Sequence, residues 1–139
     1  MKRFTQILCL ILIAATILVV PTLAAQQASA FFASHSCYLW KTSSTEFQVW
    51  FNVTATGGMD KLGASEILVQ SSSDGVDWDD EQTYYNLTAS NTGYHSGHVT
   101  YNGAVSGRYY RARVTFYAEN SDGSGEYADN TSSIYWTVP

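Results

Sequence analysis

The sequence predicts an all-β protein, a single antiparallel β-sandwich of about seven strands that follows an N-terminal signal peptide. Two observations predict the strands. Apolar and polar residues alternate strictly in 47–55 and in 110–118, and short turn sequences containing Gly, Asn and Asp recur along the chain. A third observation argues against helices, since the apolar residues after residue 31 never keep a helical spacing beyond two turns. Strands that are buried on one face favour a sandwich.

Residues 1–30 have the three parts of a signal peptide. A short basic start precedes an apolar run over 7–20, and the small residues Ala28-Ser29-Ala30 match the pattern that signal peptidases cut after. The apolar run is shorter than the ~20 residues that span a bilayer, so a retained anchor is the less favoured alternative. We therefore expect a cleaved leader over 1–30 and one secreted β-sandwich domain over 31–139.

Size and charge limit what the expected domain does. Cleavage would leave 109 residues with five basic and twelve acidic side chains, a formal charge of −7. This length suits one domain. An acidic surface repels phosphate backbones and anionic lipid headgroups, so we expect no nucleic-acid partner and no membrane partner once the leader is removed.

Cysteine usage excludes an internal disulfide in the expected domain. Cys9 would leave with the leader, and Cys37 would then be the one remaining cysteine. A lone thiol outside the cell either links two chains or is a small buried apolar group, and the second interpretation is the more common one.

Extended segments and turns alternate along the expected domain. The predicted strands are 37–41, 47–55, 65–71, 82–88, 97–102, 109–118 and 134–138. Chain reversals are predicted at Gly57-Gly58, Ser73-Asp74-Gly75, Asn91-Thr92-Gly93, Asn102-Gly103 and Ser121-Asp122-Gly123. Alternation in the two longest strands predicts that the buried residues are Phe47, Val49, Phe51, Val53, Ala55, Tyr110, Ala112, Val114, Phe116 and Ala118.

One stretch carries a family resemblance. It reads Tyr110-x-Ala112-x-Val114-x-Phe116-x-Ala118-x-Asn120-x-x-Gly123. This pattern resembles the last strand pair of a fibronectin type III-like or immunoglobulin-like domain, and 47–51 resembles the second strand, with Phe51 where those domains usually bury a tryptophan. The resemblance implies a sandwich in which the hydroxyl of Tyr110, as the corner tyrosine, binds the preceding loop. It implies a fold and no activity.

A second resemblance concerns the layout of the chain. A leader, one sandwich-sized domain and a tyrosine-rich strand are followed by a C-terminal segment that contains Ser132-Ser133-Ile134-Tyr135. This organisation is similar to that of an uncharacterised family of small secreted proteins of Gram-positive bacteria. The similarity implies secretion and the fold, and adds no chemistry.

Outward positions of two strands carry the candidate binding residues, which are Trp50, Tyr109, Arg111, Arg113 and Tyr117. On the later strand, two arginines flanked by two tyrosines form a donor-rich strip of the kind enriched at interfaces. The alternative is that these side chains pair across strands and only stabilise the sheet. In the type III-like arrangement the two strands belong to different sheets, so Trp50 and the strip need not form one surface.

Two groups of residues contain metal-ligand types. The first is an acidic segment with Asp74, Asp77, Asp79, Asp80 and Glu81. Calcium binds such oxygens, but the spacing does not fit an EF-hand, and a hairpin turn with solvated carboxylates is the favoured interpretation. The second group contains the zinc-ligand types His35, Cys37, His95 and His98, without the closely paired spacing usual for structural zinc. We expect no metal and no other cofactor.

No catalytic motif is present, since the chain has no Gly-x-Ser-x-Gly sequence and no cysteine with an evident His and Asn frame. The sequence therefore predicts a secreted, noncatalytic binding or interaction module that recognises a protein or a glycan outside the cell. One alternative is a secreted bacteriocin-like antibacterial protein, similar in size and leader to the lactococcin 972 type. A metal-dependent enzyme is a third hypothesis.

Overall fold

The computed structural model describes residues 29–136, which form six strands and no helix. The strands are β1 (Phe32–Lys41), β2 (Phe47–Ser72), β3 (Asp79–Tyr101), β4 (Tyr109–Glu119), β5 (Gly125–Thr131) and β6 (Tyr135–Trp136). Every pairing is antiparallel, and the strands form one sheet that curls into a half-barrel. A membrane-spanning helix is therefore not found in the described part of the chain. Apart from Ser29 and Ala30, the predicted leader lies outside the described residues.

The all-β prediction is confirmed, and the prediction of seven strands is wrong. Five strands have seven residues or more, and the sixth has two. The two-sheet sandwich is not confirmed, because all the strands belong to one curled sheet.

The strand count differs because two predicted turns lie inside continuous strands. Segments 47–55 and 65–71 both belong to β2, and 82–88 and all but the last residue of 97–102 belong to β3. Gly57-Gly58 and the segment around Gly93 lie close to each other in this long hairpin, where the pairing register shifts between Thr54 and Met59. A Cβ on Gly93 would lie 3.1 Å from the carbonyl oxygen of Gly57, so glycine permits the close approach of the two strands there. Such irregularities bend a strand pair without reversing it.

The C-terminal strands also differ from the prediction. Strand β5 is not predicted, because its sequence Gly-Glu-Tyr-Ala-Asp-Asn-Thr has no run of alternating large apolar residues. The strand predicted over 134–138 is observed as the two residues of β6, and residues 137–139 lie outside the described part.

Strand β2 passes through two parts of the sheet. Its residues 47–55 lie between β1 and the end of β3, and we call this part the first half-sheet. Its residues 59–72 lie between the start of β3 and β4, which also pairs with β5 and β6, and this part is the second half-sheet.

The inner faces of the two half-sheets pack against each other. All ten residues that the alternation predicts to be buried are buried. The rings of Phe47 and Tyr110 are 5.3 Å apart, and those of Phe51 and Phe116 are 6.3 Å apart. These contacts join β2 to β4 across the inside of the half-barrel, and the transfer of such rings from water is the main stabilising contribution to a core.

Tyr110 also fixes the loop before β4. Its ring is buried, and its hydroxyl oxygen accepts a hydrogen bond from the backbone N–H of Val105 at 2.8 Å. This is the contact that the resemblance implies for a corner tyrosine.

Within residues 29–136, hydrogen bonds between side chains and backbone groups link the β1 and β5 edges of the half-barrel, and these two strands do not pair. Glu126 accepts a hydrogen bond from the N–H of Phe31 at 3.3 Å, and Asn130 donates one to the carbonyl oxygen of His35 at 3.3 Å. The curl of the sheet therefore places the edges of β1 and β5 side by side.

Candidate binding surfaces

The predicted arginine–tyrosine strip lies on the outer face of the second half-sheet, which we call the charged face. The strand register places its members side by side. They are Lys61, Glu66, Leu68, Gln70, Thr83, Tyr85, Arg111, Arg113, Thr115, Tyr117, Glu119, Tyr127, Asp129 and Thr131. Positive and negative groups alternate on this surface, so it is not a basic surface as a whole.

Arg111 is held by neighbouring side chains. Its guanidinium carbon lies 4.2 Å from the centre of the Trp78 ring, a cation–π contact. Its Nε donates a hydrogen bond to Gln70 at 2.8 Å, and the Gln70 amide donates to Asp80 at 2.7 Å. The cross-strand pairing that the sequence left as an alternative is therefore present at Arg111.

Tyr117 is similarly engaged at the other end of the charged face. Its hydroxyl donates a hydrogen bond to Glu119, and its ring centre lies 4.7 Å from that of Tyr127. Glu119 also forms an ion pair with Lys61 at 3.5 Å. The hydrogen bond to Glu119 is the main reason that the pKa of Tyr117 rises to about 12, and the same bond lowers the pKa of Glu119.

The remaining members of the strip are in different surroundings. The side chain of Arg113 is exposed and has no hydrogen bond or ion pair with any residue of 29–136. Tyr109 is half-buried beside the tip of the β2–β3 hairpin, where a Cβ on Gly75 would lie 3.8 Å from its ring. Of the two arginines of the strip, Arg113 is therefore the one without a partner among the described residues.

Trp50 lies on the outer face of the first half-sheet, which we call the uncharged face. The register aligns four rows of three residues across β1, β2 and β3. The rows are Ser34–Thr54–Tyr94, Ser36–Asn52–Ser96, Tyr38–Trp50–His98 and Trp40–Gln48–Thr100. These twelve positions include no Asp, Glu, Lys or Arg, although the expected domain has seventeen such residues.

A row of parallel rings crosses the centre of the uncharged face. The ring centre of Trp50 lies 6.4 Å from that of Tyr38 and 4.4 Å from that of His98, with interplanar angles of 5° and 27°. The indole N–H of Trp50 donates to the side-chain oxygen of Gln48 at 2.9 Å. Trp50 is thus half-buried by its neighbours, and its ring packs against those of Tyr38 and His98, which are more exposed.

The exposed ring area belongs mainly to neighbours that sequence reasoning did not select. Trp40 is 61% exposed, Tyr94 is 55% exposed and Tyr38 is 42% exposed. The sequence contains a signal for two of these residues. Tyr38 and Trp40 are two residues apart in a predicted strand and therefore share a face. Their alignment with Trp50 depends on which strands pair, and a strand pattern does not specify its partner.

The zinc-ligand residues predicted from the sequence are divided between the two sides of the sheet. His95 faces inward, with its ring 5.5 Å from that of Phe51, whereas His98 faces outward. Within residues 29–136, no three or more His, Cys, Asp or Glu side chains are placed to hold a metal ion.

Cys37 lies on the inner side of β1 and is half-buried. Burial raises the pKa of its thiol to about 11, and the S–H group donates to Asn130 at 3.8 Å. This environment is that of a small packed group, since a reactive thiol needs a lowered pKa.

The acidic segment forms the hairpin turn between β2 and β3. The carboxylate of Asp74 accepts hydrogen bonds from the N–H groups of Val76 and Asp77 at 2.8 and 3.0 Å, which lower its pKa. Such an Asx-type turn is the hairpin interpretation that the sequence favours. Asp79, Asp80 and Glu81 bind Arg108, Gln70 and Ser71 respectively.

Comparison with known proteins adds no family. No protein-family model matches the chain, and no curated protein sequence matches it.

Proposed function

We propose that this protein is a secreted, noncatalytic binding module whose contact surface is the uncharged face. The observation that carries the proposal is the composition of that face, where exposed aromatic rings lie among hydroxyl and amide groups and no formal charge is present. Exposed aromatic clusters on a surface mark interaction sites.

The charged face supports a binding role less well. Arg111, Tyr117 and Glu119 already contact neighbouring side chains, so a ligand would have to replace those contacts. The exposed rings of the charged face, Tyr85 and Tyr127, lie beside Glu66 and against Tyr117. Trp40 and Tyr38, in contrast, are exposed among groups without formal charge. Covering these two rings with a ligand releases water and stabilises the complex.

The experiment is cosedimentation of the purified protein with insoluble extracellular material, namely cell envelopes and matrix. We expect the wild-type protein to sediment with the material and the Trp40→Ala variant to lose at least about tenfold in affinity, which is about 1.4 kcal/mol. The matched control is Tyr85→Ala, which removes a ring that is 63% exposed on the charged face and should bind like the wild type. Circular dichroism checks that each variant folds.

Two results would contradict the proposal. Equal sedimentation of the wild type and Trp40→Ala would show that the uncharged face is not the contact surface. Failure of the wild-type protein to sediment with any such material would argue against a binding role outside the cell.

A further inference from the structure

We infer that the ligand of the uncharged face is a neutral polysaccharide, an inference that rests on the proposed function. Its first support is the exposed ring area of Tyr38, Trp40 and Tyr94. The face of an aromatic ring carries partial negative charge, and the C–H groups of a sugar ring carry partial positive charge. Sugar rings therefore pack on aromatic rings while their hydroxyl groups point sideways to polar partners.

The second support is the chemistry of the other side chains. The seven non-aromatic positions all carry a hydroxyl or an amide, and these are Ser34, Ser36, Gln48, Asn52, Thr54, Ser96 and Thr100. Hydroxyl and amide groups both donate and accept hydrogen bonds, as sugar hydroxyls do. No position carries an aliphatic apolar side chain or an arginine. Protein–protein interfaces are enriched in aromatic residues and arginine but depleted of serine, and this face combines its rings with three serines and no arginine, so a protein partner is the less favoured occupant.

The third support is charge complementarity. The uncharged face lies on a domain whose formal charge over residues 31–139 is −7. A uronate-rich or sulfated polysaccharide would be repelled by this net negative charge, and no Lys or Arg on this face would compensate. A neutral polysaccharide has no charge to desolvate, so burying it against uncharged groups avoids that cost.

The extent of the face favours a polymer. The rows from Ser34 to Trp40 extend about 20 Å along β1, and the three strands extend about 10 Å across. This surface is one open side of a sheet, so a chain of sugars can lie along it, whereas a small sugar would contact only one or two rows.

The test is native gel electrophoresis of the purified protein in gels that contain one soluble polysaccharide each. The neutral probes are hydroxyethyl cellulose, xylan, mannan and starch, and carboxymethyl cellulose is the anionic counterpart of the first. We expect at least one neutral probe to retard the wild-type protein and carboxymethyl cellulose to retard it at least about tenfold less, because of the repulsion between like charges. Tyr38→Ala and Trp40→Ala should each weaken retardation about tenfold or more, and the control Tyr85→Ala should not.

Three outcomes would overturn the inference. They are the absence of retardation by all four neutral probes, equal retardation by the neutral and carboxymethylated celluloses, and unchanged retardation of both ring variants. Sedimentation equilibrium tests whether a second copy of the chain covers the uncharged face instead. Self-association of the wild-type protein that Trp40→Ala abolishes would identify that occupant and overturn the inference. If cosedimentation with extracellular material still depends on Trp40 while no neutral probe binds, the proposed function stands and the glycan inference fails.

Discussion

The two outer faces of this sheet share strands β2 and β3 and differ in character. On the charged face, Arg111 packs on the Trp78 ring, the Tyr117 hydroxyl donates a hydrogen bond to Glu119, and Glu119 forms an ion pair with Lys61. On the uncharged face, Trp40 and Tyr94 are exposed among groups without formal charge, whereas the exposed Tyr85 and Tyr127 of the charged face lie beside Glu66 and against Tyr117. The comparison teaches that a dense set of arginines and tyrosines on one strand does not by itself identify a binding surface. Side chains that bond to one another stabilise the fold, and exposed side chains without such contacts are available to a ligand.

The largest expected effect comes from a residue on which both faces depend. A Cβ at Gly63 of β2 would lie 2.7 Å from the Cα of Thr88 in β3 and would also collide with the carbonyl oxygen of Leu87. The backbone of β3 cannot move aside without breaking its pairing with β2. Gly63→Ala should therefore lower the free energy of unfolding, measured by urea denaturation, by about 3 kcal/mol. Gly58→Ala is the control, since nothing lies within 4 Å of its added Cβ. Equal stability of the two variants would contradict the close approach.

The next largest effect concerns Cys37, on the inner side of the first half-sheet. Because burial raises the pKa of Cys37 to about 11, its thiolate at pH 8 should be about a hundredfold rarer than that of an exposed thiol. Alkylation by iodoacetamide, followed by mass spectrometry, should therefore be about a hundredfold slower in the folded than in the urea-unfolded protein. Trp40→Ala should leave this slow rate unchanged, because Trp40 faces the opposite side of β1. Rapid alkylation in that variant would mean that its loss of binding reflects displacement of β1.

A smaller effect distinguishes a structural role from a binding role for the two arginines of the charged face. Arg111→Ala removes the contacts with Trp78 and Gln70 and should lower the free energy of unfolding by about 1 kcal/mol. Arg113→Ala should change it by less than about 0.5 kcal/mol, since the side chain is exposed. Neither variant should alter polysaccharide binding. If the double variant keeps its stability and loses binding, the contact surface is the charged face, as the arginine–tyrosine strip alone predicts.

The smallest expected effect is that of salt. A ligand on the uncharged face forms no ion pair, so its Kd should change by less than about twofold between about 0.05 and 0.5 M NaCl. Binding through Arg113 and its charged neighbours would instead weaken as salt screens the interaction. Titration by isothermal calorimetry at both salt concentrations distinguishes the two faces without any substitution.

The core and the strand faces could be predicted from the sequence, and the pairing of the strands could not. Alternation identified the buried side of β4 and of the first part of β2, because half-buried strands must alternate. The glycines at 57 and 58 were interpreted as a reversal, since Gly-Gly accommodates a turn and a bend equally well. Strand β5 has only short or polar side chains facing inward, and therefore lacks the pattern that marks a strand.

The candidate site was predicted in part. Trp50 was selected for its outward position, but its ring neighbours come from β1 and β3, and only the register reveals that Tyr38, Trp50 and His98 form one row. The role of Gln70 as the partner of Arg111 was also beyond the sequence, because the two residues are 41 positions apart. Long-range pairings of this kind follow from topology, on which a local pattern carries no information.

The passage of β2 and β3 through both half-sheets has a consequence for protein engineering. No linker separates the halves, so neither half is an autonomous subdomain, and a cut at 57–58 or 91–93 would sever a paired strand. New termini, affinity tags or fused enzymes belong instead in the connections at 73–78, 102–108 and 120–124, which lie outside the strands. Of these, 120–124 is preferable, because 73–78 contains the Asp74 turn and Tyr110 binds the backbone within 102–108.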